Sequence, residues 1–205
     1  NGFGGNLISH SYDTEKGYGS IRFDNYVTSI PSKAFKDCTT LESIYLPEGV
    51  TYIAPDAFEG CTNLKYIISP NSTNYSMFIY NGELMAVVPS VGKELVIPEG
   101  VKIVNQNIFT YSKVENIVFP ESMENIKYRA FYQHPTLQSV VFNGYTNIDD
   151  YAFSGCNLLE SVTYAVGNEY GSYKIGSHAF EKCEKLKTVQ FAEGLYSLGS
   201  YAFSE

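Results

Sequence analysis

Apolar positions along the chain fall into one recurring frame. Seven phenylalanines, Phe35, Phe58, Phe109, Phe131, Phe153, Phe180 and Phe203, each follow a small or apolar residue: Ala34, Ala57, Ile108, Ala130, Ala152, Ala179 and Ala202. Five residues before each Phe stands Ile30, Ile53, Val104, Ile126, Ile148, Ile175 or Leu198. Three residues after it stands Cys38, Cys61, Ser112, His134, Cys156 or Cys183, and six after it Leu41, Leu64, Leu137, Leu159 or Leu186. The copy at 101–122 is one residue short and offers Val114. Within each unit the pattern L-x-x-I-x-L, as in Leu41, Ile44 and Leu46, predicts a short strand whose faces alternate. Pro47-Glu48-Gly49 and Pro98-Glu99-Gly100 predict turns out of it. Val27-x-x-Ile30 predicts a second, shorter extended stretch. The A-F-x-x-C segment is too short for more than one helical turn and predicts 3₁₀ or turn structure.

The Phe-to-Phe spacing is 23 for the first pair, then 22, 22 and 27 further along, with a gap of 51 between Phe58 and Phe109. A period near 23 lies in the range of leucine-rich repeats. One such unit cannot bury its own apolar residues, whereas stacked units share a continuous core. The predicted fold is a right-handed leucine-rich-repeat solenoid, β-rich, with short parallel strands, turns and little α-helix. Residues 1–19 are read as an irregular N-terminal segment or partial cap, and 20–205 as one domain of about eight coils. The gap holds an insertion at 73–92, where Met77–Val88 carries Asn81-Gly82 between two apolar runs, the signature of a hairpin. A hairpin projecting in place of one coil's convex part is the expectation.

Composition narrows what such an array does. The 205 residues are 44% hydrophobic and 18% charged, enough apolar content for a core. A net charge of -8 disfavours nucleic acid, whose binders need a basic patch. No Lys/Arg run marks an anionic-membrane patch, and no apolar stretch approaches a membrane span. The start has neither a basic n-region nor an initiator Met and reads as the trimmed start of a longer or processed chain. Eighteen Tyr and thirteen Phe without a Trp point to a β-rich chain with an aromatic-dotted surface.

Candidate chemistry is thin. No His stands near a nucleophile in a catalytic pattern: His10 lies in the irregular start, His134 in a Cys slot, and His178 in a position read as solvated. Gly2-Phe3-Gly4 and Gly17-Tyr18-Gly19 lack phosphate-loop spacing. Asp149-Asp150 lacks the further oxygens of a calcium loop. Neither a cofactor nor a metal is expected. Asn71-Ser72-Thr73 and Asn74-Tyr75-Ser76 fit the glycosylation triplet. The four cysteines form neighbouring pairs, Cys38 with Cys61 and Cys156 with Cys183. Side chains in register point in parallel, which favours buried thiols; disulfides within those pairs are the alternative.

The predicted concave sheet is more informative. The outward position before the last inward residue of each strand reads Arg22, Tyr45, Ile68, Val96, Val118, Val141, Thr163 and Gln190. Two residues earlier stand Ser20, Ser43, Tyr66, Glu94, Asn116, Ser139, Ser161 and Thr188. The candidate binding strip is therefore Tyr45, Tyr66, Ile68, Val96, Val118, Val141 and Thr163, because contiguous exposed apolar surface marks interfaces. Strand propensity alone would place β-branched residues there too. The hairpin tip at Tyr80 and Asn81 is the second candidate.

The frame V-x-x-I-x-x-x-A-F-x-x-C-x-x-L-x-x-I-x-L-P resembles the BspA-like, or Treponema-type, leucine-rich repeat, over roughly residues 20–205. The inserted NGELMAVVPSVGKELVIP, residues 81–98, resembles the element that interrupts arrays in that family. Ser112 and His134 in the Cys slot and Ser69 in an inward Leu slot depart from the pattern. The resemblance implies a secreted or cell-surface protein that adheres to or binds a host or neighbouring-cell protein, with no catalysis in the repeats. Glycan binding through the exposed tyrosines and a spacer role in a larger surface protein are the alternatives.

Overall fold

The computed structural model describes residues 26–70, 72, 74–165 and 171–205 in full, and the backbone alone of 7–13 and 18–23. The chain opens with an antiparallel pair, β1 (Leu7–Asp13) and β2 (Tyr18–Phe23). This corrects the irregular start, and with it the placement of Ser20 and Arg22. Those two residues lie in β2, which pairs with β1 and adds no rung to the predicted concave sheet. Their side chains, the Asn71 and Thr73 positions of the first glycosylation triplet, and the Gly2-Phe3-Gly4 and Gly17 motif positions lie outside the described residues.

From there two sheets alternate along the chain. The back strands are β3 (Ser29–Ile30), β5 (Tyr52–Ile53), β7 (Met77–Tyr80), β8 (Glu83–Val87), β10 (Ile103–Val104), β12 (Asn125–Ile126), β14 (Asn147–Ile148), β16 (Tyr173–Ile175) and β18 (Leu195–Leu198). The front strands are β4 (Ser43–Tyr45), β6 (Tyr66–Ile68), β9 (Glu94–Val96), β11 (Asn116–Phe119), β13 (Ser139–Phe142), β15 (Ser161–Tyr164) and β17 (Thr188–Gln190). Front pairing is parallel and in strict register, so that Val118 faces Val96 on one side and Val141 on the other. The protein is a solenoid of about seven coils, and no helix occurs among the described residues.

The A-F-x-x-C segments are runs of tight turns, because one or both of two positions in each take a left-handed backbone. Two residues before the Phe these are Lys33, Asn107, Arg129, Tyr151, His178 and Tyr201; two after it they are Asp37, Gly60, Gln133, Gly155 and Lys182. Where another such turn follows, the two dock by backbone hydrogen bonds, as Phe131 N–H does to Ala152 C=O at 2.7 Å and Phe153 N–H to Ala179 C=O at 2.8 Å.

The core follows the frame. Phe109, Phe131, Phe153, Phe180 and Phe203 stack ring on ring, with centroids 4.3, 4.8, 5.1 and 5.1 Å apart. Phe35 and Phe58 stack separately at 5.6 Å. A second aromatic column, Phe119, Phe142, Tyr164 and Tyr173, runs beside the first at 5.0, 4.8 and 4.2 Å and meets it edge-on, as Phe119 does Phe131 at 6.2 Å.

The insertion does not project. β8 pairs in parallel with β10, so Leu84 sits opposite Val104, in the inward slot that Ile126 and Ile148 occupy in later coils. Met77, Phe78, Leu84, Ala86 and Val87 are buried. Apolar residues on both faces of the hairpin draw it into the stack, where burial outweighs exposure of a free ribbon. It also splits both sheets: β4–β6 and β3–β5 are not joined to their successors by strand pairing. At the split, Ile67 N–H donates to Tyr75 C=O, beyond the end of the strand.

Candidate functional site

The outward positions of the front strands form two rows. Strands β9 to β17 bring Val96, Val118, Val141, Thr163 and Gln190 into one row, with Glu94, Asn116, Ser139, Ser161 and Thr188 in the other. On the first two strands Tyr45 faces Ile68 and Ser43 faces Tyr66. The predicted ladder from Ile68 to Val141 is thus interrupted between Ile68 and Val96, where the insertion separates the sheets. Tyr45 (75% exposed), Val96 (68%) and Tyr66 (47%) are open to solvent. Ile68, Val118, Val141 and Thr163 are half-buried between their neighbours.

Three members of the polar row, Glu94, Asn116 and Ser139, are hydrogen-bonded to one another. Asn116 Nδ2 donates to Glu94 Oε1 at 2.7 Å, and Ser139 Oγ donates to Asn116 Oδ1 at 2.5 Å. The side chains of Val96, Val118 and Val141 carry no group for such bonding and offer methyl groups to whatever approaches. At the second candidate, Asn81 is exposed in the hairpin turn with φ 50°, next to Gly82 at 76°. Tyr80 is half-buried against the core, which leaves little of the ring for a partner.

The Cys slot has a structural task. Cys61, Cys156 and Cys183 donate their S–H to the carbonyls of Phe35, Phe131 and Phe153, each one coil earlier, at 2.9, 3.1 and 3.3 Å. All four cysteines are free thiols. The sulfurs of Cys61, Cys156 and Cys183 point back along the stack at carbonyl oxygens and not at another sulfur, which is why the pairs stay unjoined. Burial pushes Cys183 up to about 12 and Cys61 and Cys156 upward as well, so these thiols are poor nucleophiles.

Where the slot holds other residues, the chemistry is adapted. Ser112 Oγ lies 3.0 Å from Nε2 of the buried His134. His134 Nδ1 accepts the Leu137 N–H at 3.1 Å, so the proton of the neutral ring sits on Nε2. Burial lowers His134 to about 4. His178, read as solvated, is instead stacked between Tyr151 and Tyr201 at 4.6 and 5.1 Å. Its left-handed backbone places the ring along the stack, where rings at the same position in successive coils meet; one sequence copy alone cannot show that. Asp150 Oδ1 accepts the Ser177 N–H at 2.7 Å, a turn contact between coils. Among the described residues no three His, Cys, Asp or Glu side chains gather in a metal-binding group. None of those residues forms a helix long and apolar enough to cross a membrane.

Comparison with known proteins agrees with this architecture. No curated protein matches the chain. Among solved structures it is similar to a leucine rich repeat protein of T. pallidum, at 24% identity and TM-score 0.54 over 87% of each chain. It is also similar to the pneumococcal vaccine antigen PcpA, at 16% identity and TM-score 0.53, over 80% of this chain and 44% of that one. These likenesses concern the fold. The family model described as BspA type leucine rich repeat region matches residues 9–84 and 91–205 in six copies. Those segments span nearly the whole sequence, and the chain belongs to the BspA-type leucine-rich repeat family.

Proposed function

We propose that the chain is a noncatalytic binding module displayed at or secreted from the cell surface, which holds a partner protein through the front-strand face. Its family is one of bacterial repeat proteins for which a protein-binding role is the general reading. The supporting observation is the in-register row Val96–Val118–Val141–Thr163, flanked along its first three residues by Glu94, Asn116 and Ser139, which are hydrogen-bonded to one another. Exposed apolar surface rimmed by satisfied polar groups is the surface of an interface. A host or neighbouring-cell surface protein is the partner this reading names.

A second reading has one observation in its favour. Tyr45 and Tyr66 lie on adjacent strands, diagonal to each other and both open, a platform on which a sugar ring stacks. Screening the purified chain against immobilised matrix proteins, mucins and glycans separates the two. Under the protein reading, capture of a matrix or mucin protein is lost with Val118→Asp and kept with Tyr66→Ala. The reverse pattern transfers the function to glycans, and capture unchanged in both variants removes it from this face.

A further inference from the structure

The back of the molecule carries an opening that the front-face reading does not use. Successive A-F-x-x-C turns dock by Phe N–H donation to the next turn, from Phe35 to Ala57, Phe131 to Ala152 and Phe180 to Ala202. The hairpin coil has no such turn. The Phe58 and Gly60 N–H groups consequently meet no partner among the described residues. Where the missing turn would lie there is a groove of about 240 Å³, with Tyr52 and Pro55 on one side, Ile108 on the other and Met85 of β8 between them. Past Ile108 the gap is shut. Tyr111 and Ser112 close in there, and only about 10 Å³ is left beside Phe58.

The polar groups around the groove are unspent. Asn105 commits its Nδ2 to the hairpin, on Glu83 Oε2 at 3.1 Å and Met85 Sδ at 3.3 Å, which leaves its carbonyl oxygen as an acceptor. The side chains of Gln106, Lys127 and Asp149 also border the groove and have no side-chain partner among the described residues. Lys127 and Asp149 carry opposite charges yet form no ion pair with each other or with any other described side chain. The rings of Tyr52 and Tyr128 are 47% and 41% exposed. Tyr128 is held edge-on against Tyr151 at 6.0 Å and has the Arg129 guanidinium 5.0 Å from its centroid.

This set of groups selects among ligand classes. Asp149 opposes an anion and Lys127 a cation, so the ligand carries no net charge. An extended peptide would need a free strand edge of some length, but β8, β10 and β12 are each paired on both sides, and β5, which is unpaired on the groove side, offers only two residues. What remains is a ligand with an apolar face for tyrosine and a rim of groups that both donate and accept. A sugar ring has that form, each hydroxyl serving amide, ammonium or carboxylate in turn. The volume is below the roughly 300–1,000 Å³ of sites that bury a drug-sized ligand, so one or two rings are held and not a chain. We propose that this groove is a saccharide-binding site, built by the missing turn and independent of the front face.

The test is a titration of the ¹⁵N-labelled chain with the methyl glycosides of glucose, galactose and N-acetylglucosamine, and with cellobiose and lactose. The side-chain amides of Asn105 and Gln106 are expected to shift saturably with at least one of them. Tyr128→Ala abolishes the shift, Asp149→Asn weakens binding about tenfold, the cost of one good polar contact, and Tyr66→Ala leaves it unchanged. All three side chains are at the surface, and an unaltered melting midpoint shows that each variant is folded. Three results overturn the proposal: no shift with any sugar, a shift that persists in Tyr52→Ala/Tyr128→Ala, or a shift lost in Tyr66→Ala. A response to hexaproline and to none of the sugars overturns it in favour of a peptide.

Discussion

At the scale of single residues, the departures from the repeat are the informative places. His134 stands where neighbouring coils have a thiol, and burial holds it neutral with a folded-state value of about 4. The unfolded chain takes up its proton near the ordinary value of 6.5. As the folded value is the lower one, the neutral ring's stability is complete above pH 6.5 and declines as the pH falls towards about 4. Urea unfolding of the parent and of His134→Cys between pH 7.5 and 4 checks this. Carboxylates common to both proteins cancel in the difference. That difference should swing against the parent by on the order of 3 kcal/mol. A difference independent of pH would mean that the ring is not buried neutral. Backbone strain offers a second test in the left-handed turn positions. Gly155 has φ 75°, and a Cβ there would also press on the Gln133 side chain. Gly155→Ala should cost about 1–2 kcal/mol. Lys182, at φ 58° in the same place of another coil, should be stabilised by a few tenths to about 1 kcal/mol on Lys182→Gly. Thermal melts of both variants read the two opposite signs.

At the scale of elements, the stack holds because each ring is sandwiched. Phe131 lies between Phe109 and Phe153 and touches Phe119 edge-on, fully buried. Phe131→Ala should cost about 3–5 kcal/mol, read as a lower denaturation midpoint. Phe142→Ala, in the second column, should cost about as much; an unchanged midpoint in either would deny that column its place in the core. The first column was legible because Phe recurs in one slot of the frame. The second was not, since its front-strand slot holds Leu46, Ser69 and Ile97 in the earlier coils and Phe119, Phe142, Tyr164 and Phe191 in the later ones. The hairpin's existence was legible from Asn81-Gly82, but its docking was not. The parallel pairing of Glu83-Leu84 with Ile103-Val104 is a long-range register that no local pattern announces. Ion pairs between neighbouring coils, such as Lys93–Glu115 at 2.7 Å and Lys187–Glu160 at 3.0 Å, join exposed ends and add little.

At the scale of the whole molecule, one missing turn organises what is distinctive. It divides the front sheet between Ile68 and Val96 and opens the groove between Tyr52 and Tyr128 on the other face. Strand alternation alone told which residues face outward, so Tyr45, Val96, Val118 and Val141 were recognisable as a strip before any coordinates. Its interruption and the hydrogen-bonded row beside it depend on how coils meet, which requires the structure. The apolar row is the proposed protein-binding surface. Its most direct test is the affinity of one captured partner for Val96→Asp, Val118→Asp and Val141→Asp, each prepared separately and checked for an unchanged melt. At least a tenfold loss is expected for each, greatest at Val118 in the middle of the row, as for a charge buried without a counter-ion at an interface. Parent affinity in all three would contradict it and move the partner site off the front face.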